Sequence, residues 1–118
     1  MILEDLLDYA GQGSIILEGA AFLPDLVASW GVQPDHALFF VPTKAFQMEH
    51  YGQRPWIKGI LDSCTDPEQA FSSWMERDHR FGLVVSEQAS ALGYRVIMVD
   101  GKMDFDSMYA QVIDHFNL

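Results

Sequence analysis

Short apolar segments alternate with longer segments of helical periodicity along this chain. Three apolar segments are each too short for a helix and are bounded by turn residues: Ser14–Leu17, Ala37–Val41 and Tyr94–Val99. Their hydrophobicity is continuous rather than alternating, which is typical of strands that are covered on both faces, as in parallel sheets. The pattern therefore predicts three buried, parallel strands.

Apolar residues at spacings of three and four predict the helices around these strands. The longest is predicted from Pro67 to Leu92, with Thr65-Asp66 as its cap and Gly93 at its end. Its predicted core positions are Phe71, Trp74, Met75, Phe81, Val85, Ala89 and Leu92. Shorter helices are predicted near residues 3–7, 22–27, 43–51, 55–64 and 105–116. The succession predicts a single domain over residues 1–118, a three-layer α/β fold with a short, mostly parallel sheet.

The composition is that of a folded protein with a strong negative charge. Of the 118 residues, 49% are hydrophobic and 20% are charged, and the formal net charge is -10. Polyanion affinity comes mostly from Lys and Arg, so this charge disfavours nucleic acid and anionic lipid as partners. The chain shows neither a signal-peptide pattern nor an apolar run that could span a membrane, so we expect a cytoplasmic protein.

The basic residues are confined to one part of the chain and suggest an anion site. All seven lie within residues 44–102, whereas the first 43 residues hold six carboxylates and no Lys or Arg. Arginine grips phosphate or carboxylate with two parallel hydrogen bonds and keeps its charge when partly desolvated. Arg54 precedes Pro55, which holds the Arg54 backbone extended at the mouth of a loop. Arg54 is therefore a candidate anion ligand, although a surface arginine without a ligand is the common alternative.

Arg77 and Arg80 are three residues apart on the long predicted helix, so their side chains are neighbours. Asp78 falls within the apolar stripe of that helix, where an ionised side chain is costly unless it is paired. An ion pair of Asp78 with one of these arginines or with Lys58 is as consistent with the sequence as a role in a binding site.

Two turns follow predicted strands and place polar groups at the carboxyl edge of the sheet, where open α/β folds bind their ligands. Glu18-Gly19 follows the first strand, and Asp100-Gly101 ends the third. A cap-like acid at Glu18 and an ordinary turn at Asp100 are the structural alternatives. The four histidines show no metal-ligating spacing, and Cys64 is predicted to be a core residue.

The order of these features resembles the carboxyl-terminal half of P-loop kinases of the small-molecule type, such as shikimate, gluconate and adenylate kinase-like proteins. The resemblance extends from about Ser14 to Phe116, and each of its motifs is short. The motifs are a strand with Glu18-Gly19, a strand ending in Val41-Pro42, a loop with Arg54-Pro55, a long helix with Arg77, and a strand ending in Val99-Asp100-Gly101.

The resemblance implies an incomplete P-loop NTPase-like fold with ATP and Mg²⁺ as cofactors. It implies that Glu18 assists the metal or its water, that Arg54 reaches the transferred phosphate, and that Arg77 supports it. These three are then the catalytic candidates, and Glu18 is also the metal ligand. The implied cofactor-binding residues are Arg80, Asp100, Gly101 and Lys102.

The phosphate-binding loop of that family, GxxxxGK followed by Ser or Thr, is absent from the chain. Without its backbone N–H groups and lysine, the phosphates lose their main cradle, so we do not expect phosphoryl transfer by this chain alone. A lid that binds nucleotide, phosphate or another small anion is expected to remain. The chain would serve an ATP-dependent phosphotransferase only within a longer or complemented chain.

The missing first strand of that family also has a structural consequence. It would leave two open strand edges, so we predict a homo-oligomer, such as a homodimer, or a partner chain that completes the sheet. A non-catalytic interaction or oligomerisation module, whose arginines pair only with neighbouring carboxylates, is the alternative function. An enzyme of different chemistry ranks third, since the sequence contains no recognisable nucleophile and base set.

Overall fold

The chain folds into a mixture of helices and strands. The computed structural model describes residues 2–11 and 13–118 of the chain. A short 3-10 turn at Pro34–His36 precedes the first strand. The other elements are α1 (Ile2–Ala10), α2 (Pro24–Ser29), β1 (Leu38–Pro42), α3 (Lys44–Gly52), α4 (Pro55–Leu61), α5 (Pro67–Ala91), β2 (Arg95–Val99) and α6 (Phe105–Phe116).

The two strands form a parallel pair, which confirms two of the three predicted strands. Leu38 lies opposite Arg95, and Pro42 lies opposite Val99. The ladder continues one residue beyond β1, where the Thr43 N–H donates to the Val99 carbonyl at 2.9 Å. Parallel strands need a long crossover connection, and α3, α4 and α5 supply it here.

The predicted strand Ser14–Leu17 is wrong. These residues belong to neither helix nor strand, and they are exposed, with Ile16 at 85%. The two isoleucines have a high β-propensity, but propensity alone does not make a strand without a neighbour to pair and pack with. The sheet within the described residues therefore has two strands instead of three.

The ends of α5 follow local backbone chemistry, as predicted. The Asp66 carboxylate accepts a hydrogen bond from the Gln69 N–H at 3.1 Å, and Pro67 occupies the first helical position. Beyond the helix, Gly93 has a φ of 81°, the left-handed conformation that glycine adopts without a Cβ clash. These signals fix the length of the longest helix.

Helix α5 packs directly on the sheet and runs antiparallel to the strands. A Cβ on Gly82 would lie 3.1 Å from Val41 Cγ1, so the absence of a side chain at Gly82 permits this close approach near the carboxyl end of β1. At the other end, Ala89 is buried with Val27 of α2 and with Tyr94, which directly precedes β2. One hydrophobic cluster of the core therefore lies between α2, α5 and one face of the sheet.

The predicted core of α5 is only partly buried. Met75 and Ala89 are buried as predicted, whereas Phe81 and Leu92 are exposed. Two strands about 4.8 Å apart are too narrow to cover a helix that is about 10 Å wide with its side chains. Cys64, also predicted in the core, is partly exposed.

Met75→Ala should lower the free energy of unfolding by about 2–5 kcal/mol, because it leaves a cavity at a side chain that is 1% exposed. Phe81→Ala should lower the free energy of unfolding by clearly less, since 48% of Phe81 is already exposed. Chemical denaturation of both variants measures the difference. Equal losses would show that Phe81 is buried in solution.

Candidate functional site

A chain of ion pairs connects α3 to α5 near the carboxyl edge of the sheet. The Glu76 carboxylate accepts hydrogen bonds from Lys44 Nζ at 2.6 Å and from Arg80 Nε at 3.1 Å. Lys44 is the first residue of α3, and Arg80 lies one turn after Glu76 on α5. These contacts hold the middle of α5 beside the end of β1.

Both cations lower the pKa of Glu76 below its ordinary value of 4.5, and the hydrogen bond from Lys44 is the largest cause, followed by that from Arg80. All three side chains contact water, so screening keeps the contribution to stability small. Because the pKa is lowered in the folded state, this contribution is present above about pH 4.5 and is lost as the pH falls through the lowered pKa.

Arg77 is occupied by its neighbour in the chain. Its Nε and Nη2 donate to Asp78 Oδ1 at 3.2 and 3.1 Å, which confirms that Asp78 pairs with an arginine of the same helix. A depression of about 420 Å³ lies beside these groups and is lined by Gln69, Ser72, Ser73, Glu76, Arg77 and Arg80. All of these belong to α5, so the depression is a groove on one helix rather than a cleft between elements.

Arg54 lies in an aromatic cluster formed by α3, α4 and α5. Its guanidinium carbon is 4.4 Å from the centre of the Tyr51 ring and 6.0 Å from that of Trp56. Tyr51, Trp56 and Trp74 have ring centres 6.1 to 6.5 Å apart. The faces of the rings attract the cation, and the guanidinium makes no hydrogen bond or ion pair with any described residue. Its donors are therefore available to an anion.

Only part of the aromatic cluster around Arg54 could have been predicted from the sequence. Tyr51 and Trp56 flank Arg54 along the chain, and this spacing could have suggested stacking. Trp74 was assigned to the ordinary core, and its approach from α5 depends on the tertiary fold. Half of the surface of Trp56 is exposed, so this ring forms the outer side of the cluster.

The turn after β2 lies at the carboxyl edge of the strands, as predicted. The Asp100 carboxylate accepts a hydrogen bond from the Lys102 N–H at 2.9 Å. Gly101 has a φ of 81°, and a Cβ there would lie 3.0 Å from Phe46 Cδ2 of α3. Turn geometry and packing thus account for Asp100 and Gly101, and their role in cofactor binding stays a prediction.

Glu18 does not follow a strand, because Ser14–Leu17 forms none, so its predicted place at the carboxyl edge of the sheet loses its basis. It lies in an exposed segment that leads to Phe22, which packs against the Ala89 and Tyr94 cluster near the amino ends of the strands. Arg77 precedes Ala89 on α5 by twelve residues, or about 18 Å. No hydrogen bond or ion pair among the described residues joins Glu18, Arg54 and Arg77, and their catalytic roles stay predictions.

The described residues show neither a metal centre nor a membrane span. Within 2–11 and 13–118, no group of three or more His, Cys, Asp and Glu side chains could hold a metal ion. None of the helices in these ranges has both the length and the apolar content that crossing a bilayer requires. Comparison of the chain with family models, curated proteins and solved structures found no match.

Lys44→Met should raise the pKa of Glu76 toward 4.5, and by more than Arg80→Met does, because the bond from Lys44 is the larger cause. NMR titration of the carboxyl carbons measures both changes. Asp104 is the internal control, since the pKa of its carboxyl is lowered by hydrogen bonds from Ser107, which neither substitution touches. If the pKa of Glu76 is the same in Lys44→Met as in the unaltered chain, the Lys44–Glu76 pair does not form in solution.

Proposed function

We propose that this chain is a non-catalytic interaction module whose small sheet is completed by another protein chain. The observation that carries the proposal is the amount of surface left open. The accessible surface is 8546 Å², whereas a compact monomer of 13.3 kDa is expected to expose about 6,500 Å². The radius of gyration is 16.9 Å, compared with about 13.5 Å expected for a compact domain of this length.

Much of the open surface is apolar. Large side chains exposed over most of their area include Ile16 and Phe105, at 85% and 79%. Among the residues whose burial the structure describes, in contrast, few hydrophobic ones are buried: Val27, Val41, Ile57, Met75, Ala89, Tyr94 and Ile97. Single exposed apolar residues are ordinary, but an apolar surplus of this size is typical of a surface that binds another protein.

The sheet supports the same function. It has two strands, and the outer edge of each is unpaired within the described residues. Open edges offer unpaired N–H and C=O groups, which readily accept a strand from another chain. A further strand would also widen the sheet beneath the exposed side of α5.

The proposal includes the predicted three-layer arrangement, with α5 and α6 on opposite faces of the completed sheet. The side chain of Val41 lies on the face that α5 covers. Leu38 is three residues earlier in the strand, so its side chain points to the opposite face, and Arg95, which pairs with Leu38, points there too. Arg95 Nη2 donates to Gln111 Oε1 of α6 at 2.9 Å. The pairing of Arg77 and Arg80 with carboxylates also agrees with a module in which these cations are structural.

Small-angle scattering of the dilute chain should give a radius of gyration near 16.9 Å, and the molar mass should rise with concentration as the open surface is covered. Sedimentation velocity from submicromolar to high micromolar concentration measures the association. A compact monomer with a radius near 13.5 Å would contradict the proposal, because the chain would then cover its own apolar surface.

A second function, binding of a nucleotide or phosphate as in the kinase-like family, is favoured by Arg54. The guanidinium is held on aromatic faces and keeps its donors free within the described chain. The turn at Asp100, Gly101 and Lys102 lies at the edge where α/β folds bind ligands. We do not assign Mg²⁺ to Glu18, since the described residues contain no group of three or more His, Cys, Asp and Glu side chains that could hold a metal ion.

The second function predicts stabilisation by ATP or inorganic tripolyphosphate. A ligand that binds only the folded chain should add about 2.7 kcal/mol at about 100 times its dissociation constant, measured by thermal unfolding. Arg54→Gln should abolish the shift, whereas Arg95→Gln is the matched control, because Arg95 already donates to Gln111 and belongs to no predicted site. The absence of a shift with the unaltered chain would leave the interaction module alone.

A further inference from the structure

We propose that the open edge of β2 pairs with the same edge of a second copy of this chain, antiparallel across a two-fold axis. The product is a continuous four-stranded sheet with β1 at both ends. This inference rests on the proposed interaction module and names its partner and its surface.

The direction of the backbone groups shows which residues of β1 face outward. The Thr43 N–H donates to the Val99 carbonyl, so the backbone of Thr43 points toward β2. Successive residues of a strand direct their N–H and C=O groups to alternate sides. The β1 residues whose groups point away from β2 are therefore Leu38, Phe40 and Pro42.

The same alternation applies to β2. The register directs the backbone groups of Ile97 toward β1 and those of Val96 and Met98 to the open edge. No hydrogen bond from elsewhere in the described chain reaches the outward groups of Val96 and Met98. The Met98 side chain is 48% exposed, so this edge is also open to contact.

The two edges differ in how they are protected. The outward position at the end of β1 is Pro42, which has no N–H and is typical of an edge strand that must not be extended. The outward positions of β2, Val96 and Met98, are apolar and keep both backbone groups. Proline, one of the usual protections against pairing, is thus present at an outward position of β1, whereas the outward positions of β2 carry neither proline nor charge.

Pairing of β2 with β2 of a second copy covers the unprotected edge of both chains. A two-fold axis uses the same surface on both copies and closes after two chains, so no open β2 edge is left. The strands that then form the outside of the sheet are the two copies of β1, each protected by Pro42. Addition of the exposed segment Ser14–Leu17 to β2 would instead leave a new open edge.

Side chains along β2 favour the antiparallel direction. An axis at Ile97 places Val96 opposite Met98 of the second copy, and both are outward-facing positions that hydrogen-bond in an antiparallel ladder. It also brings Arg95, the first residue of β2, near Asp100 of the other copy, which directly follows β2. A parallel pairing would place Arg95 beside Arg95, which is unfavourable.

The surface that the chain as a whole leaves open exceeds one partner's share of an interface of standard size. The accessible area exceeds that of a compact monomer by about 2,000 Å², whereas each partner in an interface of standard size buries about 800 Å². The net charge of -10 on each copy opposes association. Salt screens this repulsion, so the dimer should become tighter as the ionic strength rises from low to physiological.

Met98→Lys and Phe40→Lys form a matched pair of variants for the test. Both residues have outward backbone groups, they are 48% and 45% exposed, and each change adds one positive charge. Met98→Lys should raise the dimer dissociation constant in sedimentation equilibrium by about tenfold or more, because a charge on a strand edge opposes pairing. Phe40→Lys should leave it unchanged. Equal effects of the two variants would overturn the proposal.

Disulfide cross-linking is a second measurement that does not depend on the charged variants folding. In a Cys64→Ser background, copies with Val96→Cys are mixed with copies with Met98→Cys. Their Cα atoms would be about 5.5 Å apart, within disulfide reach, whereas two Met98→Cys copies would be separated by about 7–8 Å. The mixture should therefore cross-link, and Met98→Cys alone should not.

The outcomes separate this proposal from the proposed function. A chain that associates without cross-linking in the mixture overturns the β2 interface and leaves an interaction module with another surface. A compact monomer at every concentration overturns both.

Discussion

The packing of α5 on the parallel pair of strands is the contact on which the other elements depend. Gly82 brings the helix close to Val41, while Ala89 joins it to α2 and to the start of β2. Parallel strands cannot be joined by a tight turn, so the whole crossover must be ordered before they pair. Burial of apolar surface between α5 and the sheet is the main term that offsets the entropy lost in ordering it.

The width of the sheet limits what this contact can bury. Two strands cover one side of α5 incompletely, and Phe81 of the helix and Met98 of the sheet stay partly in water. The strongly negative charge of the chain has a protective role in this situation, because mutual repulsion opposes disordered aggregation of molecules with open strand edges.

Some charged pairs join neighbours in the sequence, and others join distant parts of the chain. The Arg77–Asp78 and Glu76–Arg80 pairs join neighbours on one helix, and neighbouring charges of this kind can be recognised from sequence spacing. The Lys44–Glu76 pair and the approach of Trp74 to Tyr51 join distant parts of the chain. The candidate site around Arg54 could therefore be predicted as an arginine held by Pro55, but not as an aromatic cluster.

Local chemistry in the sequence was sufficient to predict the cap at Asp66, the stop at Gly93 and the two strands that pair. These features depend on backbone conformations and short-range hydrogen bonds that the residues themselves determine. The tertiary structure alone decided that Ser14–Leu17 stays outside the sheet and that Glu18 therefore does not follow a strand. An apolar run becomes a strand only when another strand offers it hydrogen bonds and a surface, and that depends on the whole fold.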